Sequence, residues 1–391
     1  MARLASLLVA LGLVIGCSID GRGAAFIPPG PEIRVDVVAA GLEHVWDIGF
    51  LPGGAALITE RPARLKLLSS TRPGARVSEV AADLDDVYVA GEGGLMGLVV
   101  HPDFADSRRF TTCQTHQEGG RPVDVRLVTW ELSSDGGRAR RVADPLLAGL
   151  TLNPSGRHSG CRPTLGPDGY LYVGTGDSAM AAVPQDRTRL GGKVLRIDLG
   201  TGAPAPGNPF AGSPNAPERL VFTYGNRNVQ GVTVQPSTGR LFAAEHGPDV
   251  NDEINILRAG ANYGWDPSRG GTEKSYDESV PMTDLHRFPD AVPAVWSSGG
   301  ETEAICGSAF ISGAQWGDMQ GLLAVAALKG AKLLLMRVGP DGTVTDVGRL
   351  PALDGDYGRL RAVRAGHDGA LYVTTSNGDD DKVLRIAPAG S

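Results

Sequence analysis

This chain of 391 residues predicts an all-β fold: a six-bladed β-propeller with four-stranded antiparallel blades. Three observations carry that reading. One unit recurs six times: an apolar strand, a tight turn containing Gly, a second apolar strand and a polar loop. The chain holds 55 Gly and 27 Pro, scattered rather than clustered, so it turns often without becoming a linker. No capped amphipathic helix of about ten residues stands out, which disfavours a nucleotide-binding α/β core. Six units spread over the chain after residue 32 leave each enough length for a four-stranded blade with generous loops.

In chain order, the first element is an address. Leu4 to Gly16 is an apolar run behind Met1 and Arg3, too short for a membrane span and matching the core of a secretory signal. We expect a signal peptide and short linker over 1–25 and a single catalytic propeller domain over 32–391. Val14-Ile15-Gly16-Cys17 resembles a bacterial lipoprotein cleavage site, which would leave Cys17 as a lipid-anchored N-terminus. The other reading is an ordinary signal cleaved near Ala24-Ala25. Both predict export, to a periplasmic or membrane-anchored location or into the medium.

Four hairpins are written clearly. Trp46 to Gly54 leads into Ala56–Thr59, and Thr164 to Gly169 into Tyr170–Val173. Val232 to Gly239 leads into Arg240–Ala243, and Val363 to Gly369 into Ala370–Val373. Asp168-Gly169 and Asp368-Gly369 supply positive-φ turns, and the flanking β-branched and aromatic residues suit a half-buried sheet. Two weaker units run over Leu98–Phe110 and Ala309–Leu328. Third strands follow, such as Lys193–Ile197 and Lys382–Ile386. Glycine stretches at 91–94 and 174–176 lack the helix that a phosphate loop needs.

The net charge of −7 and the lack of any Lys/Arg block exclude a nucleic-acid partner bound through phosphates. After export, Cys113, Cys161 and Cys306 would meet an oxidising compartment. We expect Cys113 to pair with Cys161, both near strands beside the candidate site, and Cys306 to be a small buried hydrophobe.

Five clusters in the inter-strand loops could carry chemistry: His158; Arg227-Asn228; the Glu245-to-Asn255 run with Asn262-Tyr263-Gly264-Trp265; Lys329; and Arg359 with Arg361. Singly, each is ordinary: a loop His, turn chemistry, a solvated acidic run, surface cations. Together, four cations and a His at corresponding blade ends would converge on the propeller axis, a natural pocket.

In order, the motifs Gly93-Gly94-Leu95-Met96-Gly97, His101-Pro102-Asp103-Phe104, the His158 segment with Gly166-Pro167-Asp168, Gly192-Lys193-Val194-Leu195-Arg196, Asn208-Pro209-Phe210, Arg227-Asn228 with Gln230-Gly231, and Asp252-Glu253-Ile254-Asn255 with Asn262-Tyr263-Gly264-Trp265 span nearly the whole chain. That set resembles the soluble pyrroloquinoline-quinone (PQQ) dependent aldose and glucose dehydrogenases, a six-bladed family that includes sorbosone-dehydrogenase-like proteins. The resemblance implies an oxidoreductase that converts an aldose to its lactone and passes electrons to an external acceptor (a quinone, cytochrome or dye). It implies His158 as general base, and Arg227 and Asn228 as the pair that binds and polarises the quinone. Glu92, Lys329, Arg359 and Arg361 match further cofactor contacts; PQQ carries three carboxylates, which suit Arg forks. Gly247 and Pro248 match carbonyl ligands of a calcium ion at the cofactor, and Asp252, Glu253 and the Tyr263 carbonyl resemble a second, structural calcium site.

Two positions depart from the pattern. Glu92 stands where the family has Gln, and Arg157 precedes the base where the glucose dehydrogenase branch has Asp. An ionised Glu92 about 5 Å from a cofactor carboxylate would suffer a gross repulsion of roughly 3 kcal/mol. We therefore expect Glu92 and Arg157 to approach and offset each other. Two rival functions remain open to the sequence: a non-catalytic ligand-binding propeller that has lost PQQ, and a calcium-dependent propeller lactonase or hydrolase. The second has no use for the four cations.

Overall fold

Every hairpin anticipated from the sequence forms the inner half of a blade. The computed structural model describes residues 30–273 and 275–390; the expected signal segment and Cys17 lie outside them. Among the described residues the strands form six four-stranded antiparallel sheets. The inner strands, in order from blade I to blade VI, are Val45–Phe50, Leu95–Val100, Arg162–Leu165, Val229–Val234, Ile305–Phe310 and Leu360–Ala365. Each packs against its two neighbours, and the last against the first, so the six close a ring around an axis. The α-helix Phe104–Ser107 is a single turn, and no helix of the described residues is long and apolar enough to cross a membrane.

Closure was not visible in the sequence. The outer strand of blade VI is the N-terminal strand Ile33–Leu42, which pairs antiparallel with the C-terminal strand Asp381–Pro388 from Ile33 opposite Pro388 to Leu42 opposite Asp381. The first and last strands of the described residues are thereby held in one sheet, and the seam is closed by their pairing.

The Asp-Gly turns carry more than a bend. In blade III, Asp168 Oδ2 accepts from Tyr172 Oη at 3.0 Å and Arg196 Nε at 2.8 Å. In blade VI, Asp368 Oδ2 accepts from Tyr372 Oη at 3.0 Å and Arg385 Nε at 2.8 Å. The turn is thus tied across three strands in the same way twice. Near the axis the inner strands crowd: a Cβ on Gly231 would lie 2.2 Å from the Cys306 carbonyl oxygen, so only Gly lets these two strands approach. Hydrophobic side chains fill the wedges between blades, with Trp46, Trp130, Trp265 and Trp316 all buried.

Cys113 and Cys161 form the disulfide that the sequence suggested, joining blade II to the segment that enters blade III, and Cys306 is free and buried. The bridge closes a span of 48 residues. Replacing both Cys113 and Cys161 with Ser is expected to destabilise the fold by about 2–4 kcal/mol, measured by denaturant unfolding under oxidising conditions. A change below about 0.5 kcal/mol would mean that packing alone holds this seam.

Candidate active site

Antiparallel alternation decides which residues can meet. A blade's inner strand begins, and its second strand ends, at the same end of the propeller. The loops that enter inner strands and the turns between second and third strands therefore share one face. Glu92 precedes the inner strand of blade II, His158 that of blade III, Arg227 and Asn228 that of blade IV, and Arg359 and Arg361 lie at the start of blade VI's. Lys329 follows the second strand of blade V, Leu323–Ala327. All the expected catalytic and cofactor residues thus occupy the same face.

His158 precedes the inner strand of blade III on this face. It is buried, with a left-handed backbone (φ 53°). A Cβ on Gly176 would lie 1.9 Å from the His158 carbonyl oxygen, so the glycine lets the two segments touch. Nδ1 lies 2.7 Å from Asp177 Oδ1. A carboxylate oxygen accepts, so this contact favours the tautomer with its proton on Nδ1, and no partner is found for Nε2 among the described residues. Asp177 is fixed by three more donors: the Ala179 N–H at 2.8 Å, Trp265 Nε1 at 2.8 Å and Tyr276 Oη at 2.6 Å. Burial and the Asp177 charge push the Tyr276 phenol well above its usual range, so it remains a donor. Behind this group, the buried Lys193 ammonium donates to the carbonyls of Val183, Pro184 and Gly191, pinning the segment that follows Asp177.

Arg227 and Asn228 are both buried. Arg227 Nη1 donates to the carbonyls of His246 (3.1 Å) and Gly247 (2.7 Å), and Nη2 to Glu278 Oε1 (2.7 Å). Asn228 accepts from the Gly160 N–H at 3.1 Å and donates to Glu92 Oε2 at 3.0 Å. Gln230 Nε2 also donates to Glu92 Oε2 at 3.0 Å. Burial works against the Glu92 charge, but His158, His246, the Asn228 amide and Arg361 outweigh it and hold the carboxyl below its usual range.

The expected Glu92–Arg157 pair does not form. Arg157 sits half-exposed at the rim and pairs with Glu278 at 3.0 Å, while the channel residues Asn228 and Gln230 take Glu92. The offset to Glu92 comes from within the channel instead. Arg61 contributes to it from the turn after blade I's second strand, its Nη1 donating to the Gly91 carbonyl at 2.7 Å.

Burial, and then the like charges of Arg361 and Arg359, lower the affinity of Arg61 for protons; burial and the Arg361 charge do the same for Arg359. Buried Nε atoms of Arg61 and Arg227 have no hydrogen-bond partner. Lys329 is exposed.

Of the residues expected to bind metal, the Gly247 carbonyl faces Arg227, Pro248 is half-buried and Tyr263 is buried. Glu253 faces Glu245, the two carboxylates sharing Asn255 Nδ2. Burial, and for Glu253 the charge of Glu245, push both carboxyls up. Asn255 Oδ1 is buried without a partner. Asp252 stands apart: its oxygens accept from the N–H groups of Gly247, Glu303 and Ala304 and from the Thr302 hydroxyl, so it anchors the entry to blade V. Among the described residues no three His, Cys, Asp or Glu side chains group closely enough to hold a metal by themselves.

Sequence reasoning missed Asp177, Tyr276, Glu278 and Arg61. Two were within reach: Arg61 and Asp177 follow second strands, as Lys329 does, and strand order alone puts them on the same face. Tyr276 and Glu278 lie in a long irregular segment of blade IV, between the strands Glu253–Ile256 and Trp296–Ser297, where no periodicity betrays them.

Residues 42–385 match the family model described as Glucose / Sorbosone dehydrogenase. The chain is similar to aldose sugar dehydrogenase YliI of Escherichia coli, 31% identical over 366 residues, covering 91% of this chain and 93% of that one. The PQQ-bound aldose sugar dehydrogenase of Streptomyces coelicolor superposes with a TM-score of 0.73 at 31% identity, over 92% of this chain and 99% of that one. The soluble aldose sugar dehydrogenase of E. coli, in its apo-form, superposes with a TM-score of 0.77 at 30% identity, over 91% of this chain and all of that one.

Proposed function

The chain belongs to the glucose/sorbosone dehydrogenase family, and from that premise we propose that it is a PQQ-dependent dehydrogenase oxidising the anomeric hydroxyl of an aldose to the lactone. The observation that carries this reading is the buried His158–Asp177 pair, set on the same face of the propeller as Arg61, Arg227, Arg359 and Arg361.

The residues fit the cofactor. PQQ is an o-quinone with three carboxylates, and three mutually repelling guanidiniums with an unpartnered buried Nε are a site for a polyanion. Arg61, Arg359, Arg361 and Lys329 would hold the carboxylates, and Arg227 and Asn228 the quinone oxygens. When bound, the quinone supplies a two-electron acceptor for the hydride leaving C1 of the sugar. The donor set around Glu253 also fits calcium: two facing buried carboxylates and a buried, unpartnered amide oxygen are hard ligands.

His158 does the acid–base work. Asp177 holds the Nδ1–H tautomer, so Nε2 takes the proton of the anomeric hydroxyl as C1 is oxidised, and the imidazolium that results is stabilised by the same carboxylate. Tyr276 and Trp265 keep Asp177 from rotating. Arg227, held by the His246 and Gly247 carbonyls and Glu278, would supply a fixed positive charge to the quinone oxygens when the cofactor is bound. Electrons then leave to an external acceptor, and the signal-like N-terminus supports export. The channel cations give a lactonase or a vacant scaffold nothing to do, and neither rival is favoured.

The test is reconstitution: purified protein with PQQ and calcium, assayed by dye reduction over a panel of aldoses. Turnover that needs both additions is expected; PQQ binding without oxidation of any aldose would overturn the reading. Glu92→Gln removes a negative charge from the channel and is expected to tighten PQQ binding about tenfold, read by absorbance titration. Equal or weaker affinity would show that the channel charges already absorb that of Glu92.

A further inference from the structure

The irregular segment between the last two strands of blade IV folds over the site and sets Tyr276 against His158 and Asp177, ring centroids 5.7 Å apart for the Tyr–His pair. Two residues on, Glu278 reaches the same place. Its Oε1 accepts from Arg227 Nη2 at 2.7 Å and from Arg157 Nη2 at 3.0 Å, and no partner is found for Oε2 among the described residues. The Glu278 side chain is 39% exposed and that of Arg157 50%, so both face the solvent from which substrate arrives. Arg157 immediately precedes the base, and its guanidinium lies 5.9 Å from the Tyr276 ring centroid. The segment is pinned behind them by Arg269–Asp277 at 2.5 Å and Arg287–Asp266 at 2.8 Å.

The rim beside the base is therefore a guanidinium already paired with a carboxylate. Resting on the sugar-dehydrogenase reading above, we propose that the Arg157–Glu278 pair is the substrate-selecting rim of this site and that it favours neutral aldoses over uronic acids. A neutral sugar meets both halves: its hydroxyl oxygens accept from Arg157, and a hydroxyl proton goes to the open Oε2 of Glu278. An acidic sugar meets the Glu278 charge, while the cation that would welcome it is neutralised. Burial acts against the Glu278 charge, but the Arg227 hydrogen bond and the Arg227 and Arg157 charges outweigh it, so the carboxyl is held below its usual range and stays ionised at neutral pH.

The experiment compares kcat and KM for glucose and glucuronate in protein loaded with PQQ and calcium, with the loaded fraction read by titration. Glu278→Gln is expected to raise KM for glucose and lower it for glucuronate, each about tenfold, as suits one charge-assisted hydrogen bond, with kcat moving less. Adding Arg157→Gln is expected to erase the gain on glucuronate. Arg157→Gln alone is expected to weaken glucose without helping glucuronate, and this holds the inference to account should Glu278→Gln fold poorly. Wild-type turnover of glucose with an unchanged glucose-to-glucuronate ratio in Glu278→Gln overturns this inference alone. A wild type that binds PQQ and oxidises neither sugar overturns the dehydrogenase reading and the inference with it.

Discussion

His158→Ala is expected to lower kcat by about 10²–10⁴-fold while PQQ still titrates to the same stoichiometry. The side chain removed is the imidazole held by Asp177, and alanine would leave the anomeric proton without the acceptor proposed for it. Asp177→Asn makes a sharper test, because it preserves shape. An amide can donate to Nδ1, which favours the tautomer with its proton on Nε2 and removes the lone pair that does the work. A loss of about 10³-fold or more is expected, together with disappearance of the limb of the kcat/KM–pH profile that reports the base. A variant at position 158 that keeps more than about a tenth of wild-type kcat would rule His158 out as the base.

Asp47→Asn is expected to cost about 3–5 kcal/mol of folding stability, a fall in melting temperature on the order of 10 °C. Asp47 is fully buried in the inner strand of blade I. Its carboxylate meets Arg364 of blade VI at 2.6 Å and Arg162 of blade III at 2.8 Å, and accepts the Leu98 N–H of blade II at 3.2 Å. Four blades thus share one anion, and the amide would leave the buried Arg162 without a counter-charge. Burial works against ionisation of Asp47, but the two guanidiniums outweigh it and its pKa is lowered. The sign follows: its contribution is fully present above the unfolded value near 3.9 and is lost as pH falls below that toward the folded value. The gap between wild type and Asp47→Asn should therefore close below about pH 4. Calorimetry across pH reads both; a melting shift under about 2 °C at pH 7 would show that the ring does not depend on this cluster. The same event reaches the candidate site, since the Trp46 ring is near the guanidiniums of both Arg162 and Arg361, 4.4 and 5.3 Å from its centroid.

How legible each part was depends on the distance over which it is encoded. The Asp168 and Asp368 turns could be read directly because their signal spans a few residues, and the hairpins around them followed. His158, Arg227 and Asn228 could be read because each sits just ahead of an inner strand, where loop chemistry is set off from strand alternation. The partner of Arg157 was misjudged for the opposite reason. Charge complementarity suggested Glu92, but Glu278, 121 residues away, is the carboxylate that the fold delivers to the rim.

By itself the sequence determined the all-β class and which loops carry the candidate site residues, because side-chain alternation and turn chemistry are local; it suggested six blades and the Cys113–Cys161 bridge, which the structure then showed. Only the tertiary structure decided that the N-terminal strand closes blade VI, that Asp177 and Tyr276 orient His158, and that Asp47 is shared by four blades. Tyr276 lies 118 residues from His158, and Asp47 lies 317 from Arg364. Such pairings are fixed by closing the ring, which brings the starts of six distant strands to one axis, and no window of sequence contains that geometry.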